Sequence, residues 1–458
     1  MLPTNKRRDK GEGNPVGCNL AGVNYRARNR TNIVRADPID EQKPVPWQRV
    51  LLLQGPVGPA FRLLRRYLTQ LRYHCIQVLF NPGDRLFAGR RNGTLVYTGG
   101  IHGLENWLFV QASTQKITHM VLFGSERPVH IIARRVAAQL SIVVISLEEG
   151  YIRPGAITLE FGANNAFSPI AGQLPPRSFR IDREDTYPDN RGHFSAMCIY
   201  GGLYYASVAL FAKRRQRQLL HRDIGILREL PHWVKNFHRW FWGQSKNSAI
   251  IERLLEHSVG QYFVVALQVS QDTQLKRSAR GWNNARLITE VLDSFAASAP
   301  QHLRLVFKIH PLERGYDNDR KLIDELSVNL GIRHRVDIVD VGSIGSLTRH
   351  SAGMITINST SGFSAIHHGV PLLVIGEAVY ANQRIATCAF GTPDFDAFWK
   401  GGLIASARLR KRYIAWIRKR CLRPGDFFTA RGIAASYKAI IDAINTSAVP
   451  HDDMRSAA

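Results

Sequence analysis

Two adjacent carboxylates, Glu148 and Glu149, follow an apolar run, Ser141-Ile142-Val143-Val144-Ile145, and lead into Gly150-Tyr151-Ile152-Arg153-Pro154. A carboxylate can attack an electrophilic carbon or take a proton, and a nearby arginine can hold it ionised. The continuous apolar run reads as a buried parallel strand. Open α/β sheets bind ligands at the carboxyl ends of such strands. A solvated loop carrying two acids has the same local pattern, so the choice rests on the rest of the chain.

The pattern of apolar run and polar exit recurs. Arg49-Val50-Leu51-Leu52-Leu53 exits into Gln54-Gly55-Pro56-Val57-Gly58-Pro59 and an amphipathic helix through Phe61, Leu64 and Leu68. The glycine spacing is not that of a dinucleotide fingerprint. Ile76 to Phe80 exits into Asn81-Pro82-Gly83-Asp84, and His119 to Phe123 into Gly124-Ser125-Glu126-Arg127-Pro128-Val129-His130. Pro128 suits a helix's first turn. Arg127 and His130 are placed to face the sheet's rim, and His130 suits a core position equally well.

The second half repeats the theme. Tyr262 to Leu267 exits into Gln268-Val269-Ser270-Gln271-Asp272-Thr273-Gln274, and Leu303 to Ile309, which carries Lys308, delivers His310-Pro311. Gly353 to Ile357 exits into Asn358-Ser359-Thr360-Ser361-Gly362 just before a helix. Hydroxyls, an amide and a glycine there suit an anion at a helix N-terminus, and equally suit plain caps. Repeated strand–turn–helix units predict an α/β protein of two doubly wound, Rossmann-like domains facing a cleft.

At 458 residues, 45% hydrophobic and 21% charged, the chain is globular and too long for a single core. A net charge of +25 predicts an anionic partner. Five scattered cysteines without metal-ligand spacing fit a reducing cytoplasm. No run reads as long enough to cross a membrane, and the N-terminus lacks a secretory core, so a cytoplasmic protein with at most peripheral membrane contact is expected. The expected organisation is a disordered basic extension over 1–46, an N-terminal α/β domain over 47–200, a basic-aromatic segment over 201–250, a C-terminal α/β domain over 251–445 and a tail over 446–458. The basic-aromatic segment, with Lys213-Arg214-Arg215-Gln216-Arg217 and Trp233 to Trp242, suits an anionic lipid surface or an interdomain core. Stacking on single-stranded nucleic acid is a weaker reading, and no nucleic-acid motif accompanies it.

Together, Gln54 to Pro59, Asn81 to Arg85, Phe123 to His130, Glu148 to Pro154, Leu267-Gln268 with Asp272 to Gln274, His310-Pro311, Asn358 to Gly362 and Gly376 to Tyr380 resemble the capsule polysaccharide biosynthesis family of bacterial Kdo transferases. The resemblance is strongest to the export-type enzymes that start a β-Kdo linker on a phosphatidylglycerol anchor. It implies a glycosyltransferase fold of the B type, using CMP-Kdo as donor with no bound metal or cofactor. It further implies Glu149 as the key carboxylate, with Glu148 beside it and Glu148 or His130 as candidate base. Gln54, Gly55, Gly58, Arg127, Arg153, Gln268, Asp272 and Gln274 become candidate substrate contacts. Lys308, His310, Pro311, Asn358, Ser359, Thr360 and Gly362 become candidate CMP contacts. The implied partners are CMP-Kdo, a phosphatidylglycerol-type lipid, the anionic inner-membrane surface and other capsule synthesis and export proteins as candidates, with no nucleic acid. Glu149 stands where related transferases tend to carry Asp, and its role as nucleophile or base stays open.

Overall fold

The computed structural model describes residues 46–89, 92–181, 187, 192–220, 226–270, 273–316, 318–389 and 391–447. The expected N-terminal extension and C-terminal tail fall almost wholly outside them.

Strands β1 (Arg49–Leu53), β2 (His74–Leu79), β3 (Thr94–Val96), β4 (His119–Phe123), β5 (Val143–Glu149) and β6 (Ala156–Phe161) lie in the order β6-β5-β4-β1-β2-β3. Strands β7 (Tyr262–Ala266), β8 (Arg304–Lys308), β9 (Val336–Val339), β10 (Gly353–Thr356), β11 (Leu372–Val374) and β12 (Thr387–Cys388) form a second sheet in the order β12-β11-β10-β7-β8-β9. Both have the Rossmann order 3-2-1-4-5-6, with the switch point between each domain's first and fourth strands. Among the described residues every pairing is parallel except those made by β6.

Helices α1 (Ala60–Gln70), α2 (Pro82–Ala88), α3 (Ile101–Thr114) and α4 (Pro128–Gln139) serve the first sheet. Its alternating residues feed two cores. Leu52, Ile145 and Leu147 pack with α1, while Leu51, Leu53 and Val144 pack with α3 and α4. Burial on both faces is why these strands read as unbroken apolar runs. A helical stretch follows: α5 (His193–Phe211), α6 (Arg214–Arg217), α7 (Ile226–Trp242) and α8 (Gln244–His257). The second sheet carries α9 (Thr273–Ser278), α10 (Asn284–Ser298), α11 (Asn318–Asn329), α12 (Ile344–Arg349), α13 (Gly362–His368) and α14 (Phe395–Trp399).

Two corrections follow. The C-terminal unit does not hold the chain to residue 445. After α15 (Ala407–Cys421), strand β13 (Leu422–Pro424) pairs with β6, and α16 (Ala430–Thr446) closes the first domain's core through Phe427, Phe428 and Ile433. Burying that apolar face against α1 is what brings the chain back. Second, α5 has the length and composition to cross a membrane, with 17% of its apolar window buried. Its glycine pair, Gly201-Gly202, breaks the run to the eye.

The domains also meet away from the cleft. Gly172 donates its N–H to Val379 O at 2.9 Å and accepts from Asn382 Nδ2 at 2.7 Å. Tyr151 stacks on Phe363 of α13 at 6.0 Å.

Candidate active site

Strand β5 runs through the acidic pair rather than stopping before it. β6 folds back antiparallel and pairs Glu148 with Thr158 and Glu149 with Ile157, which draws polar residues into the ladder. Gly150 makes that hairpin possible: a Cβ there would stand 2.5 Å from Ala156 O. Side chains alternate along a strand, so the two carboxylates point to opposite faces. Glu149 follows Ile145 and Leu147 toward the α16 side, and Glu148 follows Val144 toward the α4 side.

Glu149 sits in a network of charged groups. Its Oε2 lies 2.6 Å from Arg153 Nη1 and 3.9 Å from His193 Nε2 at the head of α5. His193 Nδ1 in turn faces Asp426 Oδ1 at 3.6 Å, and its ring meets Phe428 edge-on at 4.9 Å. Asp426 is fixed by Phe428 N and Thr429 N, both at 2.7 Å, and by the Thr429 hydroxyl at 2.6 Å. Burial would raise the Glu149 carboxyl. Arg153, His193 and, across the cleft, His310 outweigh it and bring the pKa down to about 2. Burial would lower His193, but Asp426 and Glu149 override it and push it up to about 9. At neutral pH the site holds an anion between two cations.

His310 caps the turn after β8. Its Nδ1 accepts from Leu312 N at 3.2 Å, which makes Nε2–H the donor of the neutral ring. The loop is braced by α7. Pro311 O accepts from Asn236 Nδ2 at 3.1 Å, and Arg314 O from Arg239 Nη1 at 2.8 Å. The domains are also tied by Arg277 Nε of α9, 3.1 Å from Glu126 Oε2.

Several candidates plug the switch points instead of facing the cleft. Of the two places the sequence offers His130, the rim as a candidate base or the core, it takes the core: it is fully buried, with its ring nitrogens against the carbonyls of Gly124 and Leu53. Burial, then Arg127, drops its pKa to about 3, and the neutral ring, wedged between β4 and β1, donates to only one of the two carbonyls. Arg127 donates to the carbonyls of Gln54 at 3.2 Å and Gly55 at 3.4 Å, and its charge is felt by Glu148. Gln54 is buried, with Nε2 on Leu219 O at 3.4 Å, and Gly58 abuts Tyr200 of α5.

In the second domain Gln268 and Asn358 bridge the switch point. Gln268 Nε2 donates to Asn358 Oδ1 at 2.9 Å, and Asn358 N to Gln268 Oε1 at 3.1 Å, both fully inside. Lys308 is buried as well, with Nζ on Ile309 O at 3.3 Å. Burial lowers its pKa to about 8. Ser359 and Thr360 stay half-buried at the rim, and Ser361 Oγ donates to Ser359 Oγ at 2.8 Å. Gly362 lets Tyr380 approach, since a Cβ would meet its hydroxyl at 2.4 Å. Gln274 lies in α9, and Asp272 is outside the described residues.

Residues 118–387 match the model of a family described as capsule polysaccharide biosynthesis protein. The chain is 32% identical over 374 residues to the capsule polysaccharide export protein KpsS of Escherichia coli, covering 81% of this chain and 94% of that one. The chain belongs to the capsule polysaccharide biosynthesis family. Within it, the capsule polysaccharide modification protein LipB of Neisseria meningitidis serogroup A is 30% identical over 341 residues, covering 73% of this chain and 81% of LipB. Among solved structures, Thermosulfurimonas dismutans KpsC, a beta Kdo 2,7 transferase, aligns over 86% of this chain and 99% of its own, at 13% identity and a TM-score of 0.40.

Two residues of the site escaped sequence reasoning. His193 follows Gly192 at the head of an apolar helix, and Asp426 lies in the turn between β13 and α16. Their distance in sequence from Glu149 leaves no spacing signal. The nearest hint is a lone histidine opening a run free of charged residues.

Proposed function

We propose that this protein acts in capsule synthesis as a retaining glycosyltransferase, moving Kdo from CMP-Kdo to a phosphatidylglycerol-type lipid at the cytoplasmic face of the inner membrane. The observation that carries the reading is Glu149. It is held ionised by Arg153 and His193 at the carboxyl end of one Rossmann sheet, and senses His310 at the carboxyl end of a strand of the other. Family membership supplies the setting.

A carboxylate near pKa 2 is a poor proton acceptor at neutral pH, because general bases work best with pKa values near the operating pH. It remains a nucleophile. In the proposed first step a Glu149 oxygen bonds to the anomeric carbon, and the bond to the CMP phosphate oxygen breaks with its electron pair leaving on CMP. In this reading His310 and the Ser359 and Thr360 hydroxyls stabilise that charge. In the second step the lipid hydroxyl attacks the same carbon, its proton leaves to a base, and the Glu149 carboxylate is released. Two inversions retain the β-linkage. Glu148 points to the opposite face of the sheet, near Arg127, and His130 is sealed from any acceptor, so neither is assigned as the base and the proton leaves to solvent water.

The test is incubation of the full chain with CMP-Kdo and phosphatidylglycerol or its lyso form. The reading expects CMP release with an acceptor mass gain of one Kdo. Folded protein giving neither product overturns it. That the KpsS relative is an export protein by name raises one rival, a non-catalytic export scaffold. That rival predicts no CMP release and indifference to Glu149→Gln.

A further inference from the structure

Helix α5 has no Asp, Glu, Lys or Arg along its 19 residues, yet only 17% of its apolar window is buried. At 3.6 residues per turn, Ile199, Leu203 and Leu210 fall within about 40° of one another. They form an outer stripe and are 61%, 52% and 63% exposed. The opposite face is locked down. Val208 is fully buried, and the Tyr204 hydroxyl donates to Asp84 Oδ1 at 2.9 Å and accepts from Asn81 Nδ2 at 2.8 Å. A helix clamped along one face cannot leave the domain to span a bilayer; it can lie on one.

Charge selects the occupant. Lys213, Arg214, Arg215 and Arg217 follow the helix directly and are exposed. Helix α7, which packs against α5, exposes Phe241 and Trp242 at 61% and 68%. Two copies meeting through this face would crowd like charges, whereas an anionic bilayer answers both the apolar stripe and the cations.

We propose that the outer face of α5, with the basic residues after it, docks on an anionic lipid bilayer. Docking rests on this surface alone. Its further meaning rests on the proposed transfer reaction: the first residue of the docked helix, His193, contacts Glu149, so the bilayer lies beside the site where a lipid hydroxyl is needed.

The test is co-sedimentation of the full chain with phosphatidylglycerol-containing vesicles and with neutral phosphatidylcholine vesicles, without donor. Binding should favour the anionic vesicles and weaken with salt. The triple variant Ile199→Glu, Leu203→Glu, Leu210→Glu should bind at least ~10-fold more weakly with an unchanged far-ultraviolet spectrum. A second variant, Lys213, Arg214, Arg215 and Arg217 to Gln, should lose the preference for anionic vesicles. Equal binding by wild type and triple variant overturns the proposal. So does a wild-type dimer that becomes monomeric in the triple variant, which assigns the face to a second copy. CMP release with detergent-dispersed acceptor separates the two claims: release without vesicle binding sinks docking alone, and binding without release sinks the transfer reading alone.

Discussion

Replacing His193 by glutamine removes a cation from beside Glu149 while keeping a polar side chain of similar reach. The rise of His193 from 6.5 to about 9 corresponds to roughly 3.5 kcal/mol at about 1.4 kcal/mol per pH unit. The contacts that produce it, 3.9 Å to Glu149 and 3.6 Å to Asp426, exceed hydrogen-bond length. About 1–2 kcal/mol is therefore the reasonable share. A base whose pKa is raised by folding contributes fully below its unfolded pKa of 6.5, and the contribution is lost as pH rises through about 9. Denaturant unfolding of wild type and His193→Gln at pH 6, 7, 8 and 9 should show a stability gap that shrinks by about 1–2 kcal/mol over that range. Lys308 also titrates near there, but it is common to both proteins and cancels in the difference. A gap that stays constant from pH 6 to 9 would refute the Glu149–His193–Asp426 coupling.

Glu149→Gln should lower CMP release by about 10²–10⁴-fold in a steady-state assay, with the fold intact by circular dichroism. Gly150→Ala places a methyl 2.5 Å from Ala156 O and should destabilise the hairpin by about 1–3 kcal/mol in urea unfolding, with activity falling as Glu149 shifts. Tyr204→Phe removes the hydroxyl between Asp84 and Asn81 and should cost about 1–3 kcal/mol in the same measurement.

Much of this architecture could be read from residue order. Strands buried on both faces announce themselves as largely apolar runs, so β1 and β4 match the reading to the residue, and β7, β8 and β10 to within one or two. The apolar run ends before the acidic pair, but the strand continues to Glu149, because antiparallel pairing with β6 recruits polar residues. β13 has three residues and a partner far away in sequence, so no local pattern marks it. The motifs at the switch points divide in a way sequence cannot foresee. Strand ends leave backbone groups to be satisfied. His130, Gln268 and Asn358 do that work inside, while Glu149 and Arg153, with His193, form the charged site. His193 aside, both sets are polar residues at strand exits. Only the packing around each tells plug from reagent.

The central claim is that Glu149 attacks the sugar. The most direct measurement is intact and peptide mass spectrometry of the full chain quenched after mixing with CMP-Kdo in the absence of acceptor. The account predicts a mass gain of one Kdo on the peptide carrying Glu149, absent in Glu149→Gln and discharged when lipid acceptor is added. Rapid CMP release and acceptor glycosylation by Glu149→Gln, with no adduct on the wild-type peptide, would contradict it.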